Sequence, residues 1–331
     1  MAQCISIYEA IRPCRRIDSN RSRRLDGLSY AIIVHGGAWD IPLEEQDGHK
    51  VGCLKAARLG YHFMAEGGSA LDAVEAAVRS MEDDPIFDAG RGSFLNSEAD
   101  VEMDAMIMEG KNLDFGSVAA VQSIRHPVTL ARRIMETSPH CMLVGEGALK
   151  FARSLCMDTV TTAELLTNKE FERWKRIKAD RDYQARRIFE GDPGKLEKRG
   201  TVGAVALDRY GLIAAATSTG GTPNKLPGRV GDSPIVGCGA YADNDSAGVS
   251  TTGLGESLMK VIPARRVCDN VNNGMTPLDA SIETIQYLKR RVNGLGGVIA
   301  LDQKGHMGYA FNTPYMACAS VDVNGKAAVF I

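Results

Sequence analysis

Composition changes abruptly at position 200, and that boundary constrains the fold more than any other feature of the 331 residues. Across 169–199 more than half the residues are charged, apolar ones are sparse, and a Gly-Asp-Pro-Gly run at 191–194 breaks any helix. The stretch 165–200 is therefore expected to be an exposed, mobile linker open to proteases. Directly beyond it, residues 201–208, a turn at 209–211 and residues 212–219 predict a hairpin of small and β-branched residues. A charged linker thus ends at a buried strand whose first residue is Thr201.

Further strands and helices give that hairpin layers to lie between. Strand-like runs stand at 31–34, 118–121, 298–301, 308–311 and 328–331. Helices are expected over 50–66 and 69–81, separated by Gly67-Gly68; the second has Ser69 as N-cap and Asp72 three residues on, with Leu71, Val74, Val78 and Met81 along one face. Pro127 opens another helix through Leu130, Ile134 and Met135. Thr276-Pro277 caps one with Leu278, Ile282, Ile285 and Val292 on one face, and a helix from Glu256 is expected to bend at Pro263. Glycine pairs at 36–37, 67–68, 220–221 and 296–297 mark places where backbone comes close to something.

Composition narrows the partners. Thirty-nine Lys and Arg against 41 Asp and Glu, a net charge of −2, provide no basic field for a nucleic-acid backbone. No apolar run approaches the ~20 residues of a membrane helix, so a membrane partner is not expected. The eight cysteines form no CxxC pair and read as reduced thiols of a cytoplasmic protein. Six arginines in residues 1–28 raise a mitochondrial presequence, but Glu9, Asp18 and Asp26 spoil its acid-poor pattern, and a disordered extension is expected.

Chemistry first suggests itself at Gly200-Thr201. If that bond broke, Thr201 would gain a free α-amine, with an ordinary pKa near ~7.7–8.0, beside its own hydroxyl. The plain alternative is that a threonine beginning a strand only reflects β propensity. Ser218-Thr219 ends the second hairpin strand, so Thr219 would lie beside Thr201 across the pair. Arg229 and Asp232, three apart in a Gly-rich loop, suit a zwitterion: the guanidinium forks onto an α-carboxylate and the carboxylate accepts from an α-ammonium. A surface ion pair would explain them equally well. Thr252 and the Gly253 N–H, in a Gly-rich turn that opens a helix, could face a developing oxyanion.

These runs, Gly-Thr-Val-Gly-Ala-Val-Ala-Leu-Asp from 200, Ala-Thr-Ser-Thr-Gly-Gly to 221, Gly-Arg-Val-Gly-Asp-Ser-Pro to 234 and Ser-Thr-Thr-Gly-Leu-Gly-Glu to 256, resemble the plant-type L-asparaginase/isoaspartyl peptidase family of N-terminal-nucleophile hydrolases. Val-His-Gly-Gly-Ala at 34–38 and Val-Glu-Met-Asp-Ala at 101–105 resemble it too. The resemblance runs from about residue 30 to the C-terminus. It implies an α+β fold, a four-layer αββα sandwich made as a precursor that cleaves itself between Gly200 and Thr201. Residues 29–200 would form one part of the domain and residues 201–331 the other. The resemblance further implies Thr201 as nucleophile with Thr219 as its neighbour, Arg229 and Asp232 as substrate clamp, Thr252 with Gly253 as oxyanion hole, and a homodimer of cleaved units. It implies no organic cofactor, but a structural Na⁺ held by carbonyls of a loop in which Met81, Glu82, Asp84, Phe87, Ala89 and Arg91 are the candidates.

One position departs from the pattern. The family usually carries Asn in a Phe-Asn-Ala-Gly segment near nucleophile and substrate, where this chain has Asp88. A carboxylate deletes two N–H donors and adds a charge that favours the protonated amine, the wrong form for a base. The expected function is hydrolysis of L-asparagine, or of β-aspartyl dipeptides, through a Thr201 ester, with activity reduced or altered by Asp88. The rival expectation is a folded homologue that binds an amino acid or a partner and turns over little. Glycosylasparagine hydrolysis lacks the secretory signal, and a phosphate-binding loop lacks its motif.

Overall fold

The computed structural model describes residues 30–180, 183–190 and 200–331; the extension 1–28 and positions 191–199 of the expected linker lie outside the described residues. The strands are β1 (Ala31–Trp39), β2 (Met103–Glu109), β3 (Phe115–Val121), β4 (Met142–Val144), β5 (Val202–Leu207), β6 (Ile213–Thr219), β7 (Ala240–Ala242), β8 (Ala247–Gly253), β9 (Gly296–Asp302), β10 (Met307–Phe311), β11 (Tyr315–Val321) and β12 (Ala327–Phe330). The helices are α1 (Leu43–Ala65), α2 (Ala70–Glu82), α3 (Pro127–Thr137), α4 (Gly145–Ser154), α5 (Thr162–Leu165), α6 (Asn168–Ala179), α7 (Arg187–Glu190), α8 (Gly255–Leu258), α9 (Pro263–Asn272) and α10 (Pro277–Val292).

An eight-stranded sheet runs β12-β11-β1-β5-β6-β2-β3-β4 and a four-stranded one runs β10-β9-β8-β7. Their faces meet through β1, β5 and β6 against β8 and β9, while α1, α2 and α3 cover the outer face of the larger sheet and α9 and α10 that of the smaller. The result is the four-layer αββα sandwich. Strand alternation divides its core in two: Ile32, Val34, Val202 and Ala204 point toward Val74 and Met81 of α2, and Ile33, Val205 and Ala215 point toward Val249 and Ile299 of the second sheet. Every residue of β5 and β6 is buried, which is why both read as uninterrupted small and apolar runs. Small residues also set the sheet spacing, since a Cβ on Gly248 would fall 2.5 Å from Val205 and 2.6 Å from Ile213.

The hairpin and α2 form as the sequence predicts, the latter with a complete Ser69–Asp72 capping box and with Leu71, Val74, Val78 and Met81 buried. Other elements differ. The helix expected to bend at Pro263 is two helices, because a proline lacking its N–H is accommodated at a helix start and the residue before it avoids αR; Ile262 takes φ 50°. The buried face of α10 is Pro277, Ala280, Ser281, Thr284, Ile285 and Leu288, so that Leu278, Ile282 and Val292 of the expected stripe are only half-buried. Part of the expected exposed linker is the helix α6. Thr167 caps it, and Arg173, 1% exposed, is paired with Glu170 and lies 5.2 Å from the Phe94 ring centroid. Charge density misled there because pairing and cation–π contact let a charged helix pack.

The close packing of α3 on β3 makes a stability prediction. A Cβ on Gly116 would lie 1.9 Å from the Ala131 carbonyl oxygen, whereas none of the described atoms lies within 4 Å of one on Gly147 in α4. Gly116→Ala is expected to cost about 1–3 kcal/mol by overpacking. Gly147→Ala should be neutral or stabilising by about 0.5–1 kcal/mol. Denaturant midpoints of the two variants check this.

Candidate active site

The β5–β6 ladder pairs Val202 with Ser218, so the residues just outside it, Thr201 and Thr219, face each other. Thr201 Oγ1 donates to Thr219 Oγ1 at 3.1 Å, and Thr201 is only 9% exposed. Thr219 Oγ1 in turn accepts from the Gly221 N–H at 3.0 Å and donates to Asp88 Oδ2 at 3.3 Å. Asp88 is buried; its Oδ1 accepts from the Phe94 N–H at 2.9 Å, and its own N–H donates to the Gly200 carbonyl at 3.4 Å. Gly200 is clasped between Gly37 and Trp39, for a Cβ there would fall 2.6 Å from Gly37 Cα and 2.9 Å from the indole ring.

Arg229 and Asp232 are not a surface ion pair with each other. Asp232 is buried, accepts from Thr251 Oγ1 at 3.2 Å, and is pushed up to about 7 by desolvation, against which the Arg229 charge works. Arg229 Nε donates to Glu256 Oε1 at 2.9 Å. Its Nη2 lies 2.8 Å from the same oxygen but outside hydrogen-bonding geometry, and among the described residues finds no acceptor. A Cβ on Gly255 would sit 2.9 Å from Nη2 and 3.1 Å from Asp232 Oδ1, so cation and carboxylate converge on one small space. Thr252 Oγ1 accepts from the Ala38 N–H at 3.3 Å, and Gly253 has φ 144° at the crossing with Gly296, where a side chain would clash.

Several supporting residues carried no role in the sequence reading. Both Glu102 carboxylate oxygens accept from the Gly228 N–H, at 3.2 and 3.0 Å, and Asp104 accepts from the Ala120 and Gly231 N–H groups at 2.8 and 3.4 Å. Together they brace the loop bearing Arg229 and Asp232. Burial raises the Asp104 pKa, opposed by Lys225. Lys225 donates from Nζ to the Glu102 carbonyl at 2.7 Å, and burial lowers its pKa. Glu102 and Asp104 had a usable signal, since residues two apart share a strand face. Lys225 had none. His35 is fully buried, which pushes its pKa down to about 3 and keeps the ring neutral. Nδ1 lies 3.1 Å from the Thr201 carbonyl, which can only accept, so the proton belongs on Nδ1; Nε2 then accepts from Ser250 Oγ at 2.9 Å.

In loop 81–91 several of the candidate cation-binding carbonyls are already engaged. Those of Met81 and Asp84 accept from the Asp84 and Phe87 N–H groups at 3.2 and 3.1 Å, and that of Glu82 from Arg91 at 2.7 Å. The Glu82 carboxylate is engaged as well, by Ser218 Oγ at 2.7 Å and the Val128 N–H at 3.1 Å. Among the described residues no hydrogen bond ends on the carbonyls of Phe87 or Ala89, and neutral oxygens of that kind fit a hard cation. No group of three or more His, Cys, Asp or Glu able to hold a metal occurs among the described residues.

The four-layer αββα sandwich, with a buried threonine directly before its central strand, is that of the N-terminal-nucleophile hydrolase class. Within it, the chain belongs to the asparaginase family, whose profile, described as "Asparaginase", matches residues 28–331. It is 47% identical over 293 residues to an isoaspartyl peptidase/L-asparaginase of Danio rerio, covering 87% of this chain and 91% of that protein. It is 46% identical over 279 residues to the protein of the same name in Homo sapiens, covering 84% and 88%. A plant-type L-asparaginase of Thermococcus kodakarensis is 41% identical over 302 residues, covering 87% and 95%.

Proposed function

We propose that the chain cleaves itself between Gly200 and Thr201 and then hydrolyses L-asparagine and β-aspartyl dipeptides through an ester on Thr201. The observation that carries this reading is the 3.1 Å hydrogen bond from Thr201 Oγ1 to Thr219, at a buried strand start directly after Gly200. In the precursor the Thr201 hydroxyl attacks the Gly200 carbonyl, which the Asp88 N–H polarises. The amide nitrogen leaves with a proton, and water hydrolyses the resulting ester. The freed α-amine then serves as base for the same hydroxyl, help worth about 10²–10⁴ in rate.

Substrate binding follows from the clamp. Arg229 Nη2, ion-paired with Glu256 but making no hydrogen bond among the described residues, supplies a buried donor for an α-carboxylate, and Asp232 an acceptor for the α-ammonium. The side-chain carbonyl is thereby offered to Thr201, and Thr252 with the Gly253 N–H stabilises the oxyanion, each donor being worth about 10²–10³. Ammonia or an amino acid departs with the proton taken from Thr201, and water releases aspartate. Both substrates present the same zwitterionic end, in keeping with the paired name isoaspartyl peptidase/L-asparaginase carried by relatives. The Phe87 and Ala89 carbonyls would hold a structural Na⁺, whose chemistry is to stiffen the loop bearing Asp88. A homodimer of cleaved units is part of this reading, as is a cytoplasmic location, which suits the free thiols of Cys53, Cys141, Cys156, Cys238 and Cys268. Among the described residues no helix is long and apolar enough to cross a membrane.

The second reading, a binding protein of weak turnover, draws on Asp88 in contact with Thr219. Intact-mass spectra separate the two: fragments 1–200 and 201–331 should accumulate in the wild type and be absent from Thr201→Ala. An intact wild-type chain after prolonged incubation would leave only the binding reading. Because Asp232 must be ionised to attract the ammonium and burial lifts it to about 7, kcat/KM should fall as pH drops below about 7, with KM carrying the loss. Initial rates across pH 5–9 on both substrates check the sign. Asp88→Asn, which removes a charge that favours the protonated amine, should raise kcat/KM near neutrality by about tenfold, the effect of about one pKa unit. An unchanged value on both substrates would remove Asp88 from the account.

A further inference from the structure

Cleavage at Gly200-Thr201 would leave Thr201 as a chain end, and chain ends fray unless something ties them down. The ladders do not reach it: β5 pairs with β1 as far as Gly203↔His35 and with β6 as far as Val202↔Ser218. Among the described residues the hydrogen bonds of Thr201 run from its hydroxyl to Thr219 and from the His35 ring to its carbonyl, the latter at 3.1 Å. A nucleophile held by its hydroxyl alone would let the backbone turn and carry the amine away from the oxygen it must deprotonate. We propose that His35 is a positioning residue: its Nδ1–H grips the Thr201 carbonyl and so fixes the new amine against the hydroxyl, while Ser250 Oγ at Nε2 holds the ring in place.

The surroundings are built for this contact. His35 lies on β1 of one sheet and Ser250 on β8 of the other, so the pair bridges the two sheets beneath the nucleophile. Both side chains are fully buried. Room for them comes from Gly203, where a Cβ would fall 2.4 Å from His35 Nε2 and 2.1 Å from Ser250 Oγ. The bond runs to a main-chain carbonyl, which remains after the preceding peptide bond is broken, so the grip serves precursor and cleaved enzyme alike.

The inference rests on Thr201 as nucleophile, and Thr201→Ala is run alongside to keep the two separate. The full-length chain is prepared as wild type, His35→Leu, His35→Asn and Ser250→Ala. Fragment appearance is followed by intact mass, and kcat and KM for asparagine are measured on the cleaved fraction. Misplacement of a reacting group by about 1 Å can cost about 10²-fold, and that loss is expected in the cleavage rate and kcat of His35→Leu, with KM within about twofold because the Arg229 and Asp232 clamp is untouched. The Asn amide nitrogen replaces the Nδ1 donor and should recover most of the loss. Ser250→Ala should lower kcat by about tenfold, the scale for removing the partner of an oriented histidine. Should His35→Leu fail to fold, His35→Asn and Ser250→Ala carry the test. Wild-type kcat in His35→Leu, an Asn variant no better than Leu, or losses that appear in KM and melting temperature rather than kcat would overturn the proposal. Cleavage or turnover by Thr201→Ala would instead overturn the nucleophile assignment.

Discussion

Everything at the site depends on the antiparallel pairing of β5 with β6 in the middle of the large sheet. Both strands are buried on both faces, which only small and apolar side chains permit at the spacing of this sandwich. A one-residue slip would turn every side chain to the opposite face and exchange the two cores. The register is therefore held by burial along the whole hairpin, and the Thr201–Thr219 contact inherits that precision at its end.

The charges around the hydroxyl pair show a division of labour. Glu102 and Asp104 spend their oxygens on backbone N–H groups and so hold a loop, whereas Arg229, paired with Glu256, keeps one buried N–H group without a hydrogen bond among the described residues and Asp232 is pushed up to about 7. Burial raises both Asp104 and Asp232; Lys225 and two backbone N–H groups oppose it at Asp104, whereas the Arg229 charge and the Thr251 hydroxyl oppose it at Asp232. Lys225 and Asp104 oppose each other's burial shifts and offset part of the cost of so many charges in one place.

Much of this was legible beforehand where the cause is local. The Ser69 cap, the hairpin with its turn, and the place of Thr219 beside Thr201 depend on residues close in sequence or on strand period. Failures arose where a distant partner overrode local propensity. The charged segment containing α6 reads as linker until Arg173 is seen against Phe94, and Pro263 reads as a kink until Ile262 is seen in the left-handed region. Strands β2 and β11 carry no alternating pattern to read, because each is buried along nearly its whole length between two neighbours, β6 and β3 or β1 and β12.

The sequence by itself determined the composition boundary at Gly200-Thr201, the small-residue hairpin, the Gly-rich turns and the identities of Thr201, Thr219, Arg229, Asp232 and Thr252. Periodicity and turn chemistry are properties of neighbouring residues, so they can be read directly. Tertiary structure alone decided that Asp232 is buried, that Arg229 turns to Glu256 and not to Asp232, and that His35 and Ser250, 215 positions apart, meet over the Thr201 carbonyl. Burial and long-range hydrogen bonding arise only when two sheets close on each other, and it is that closure which turns a row of ordinary polar side chains into a site.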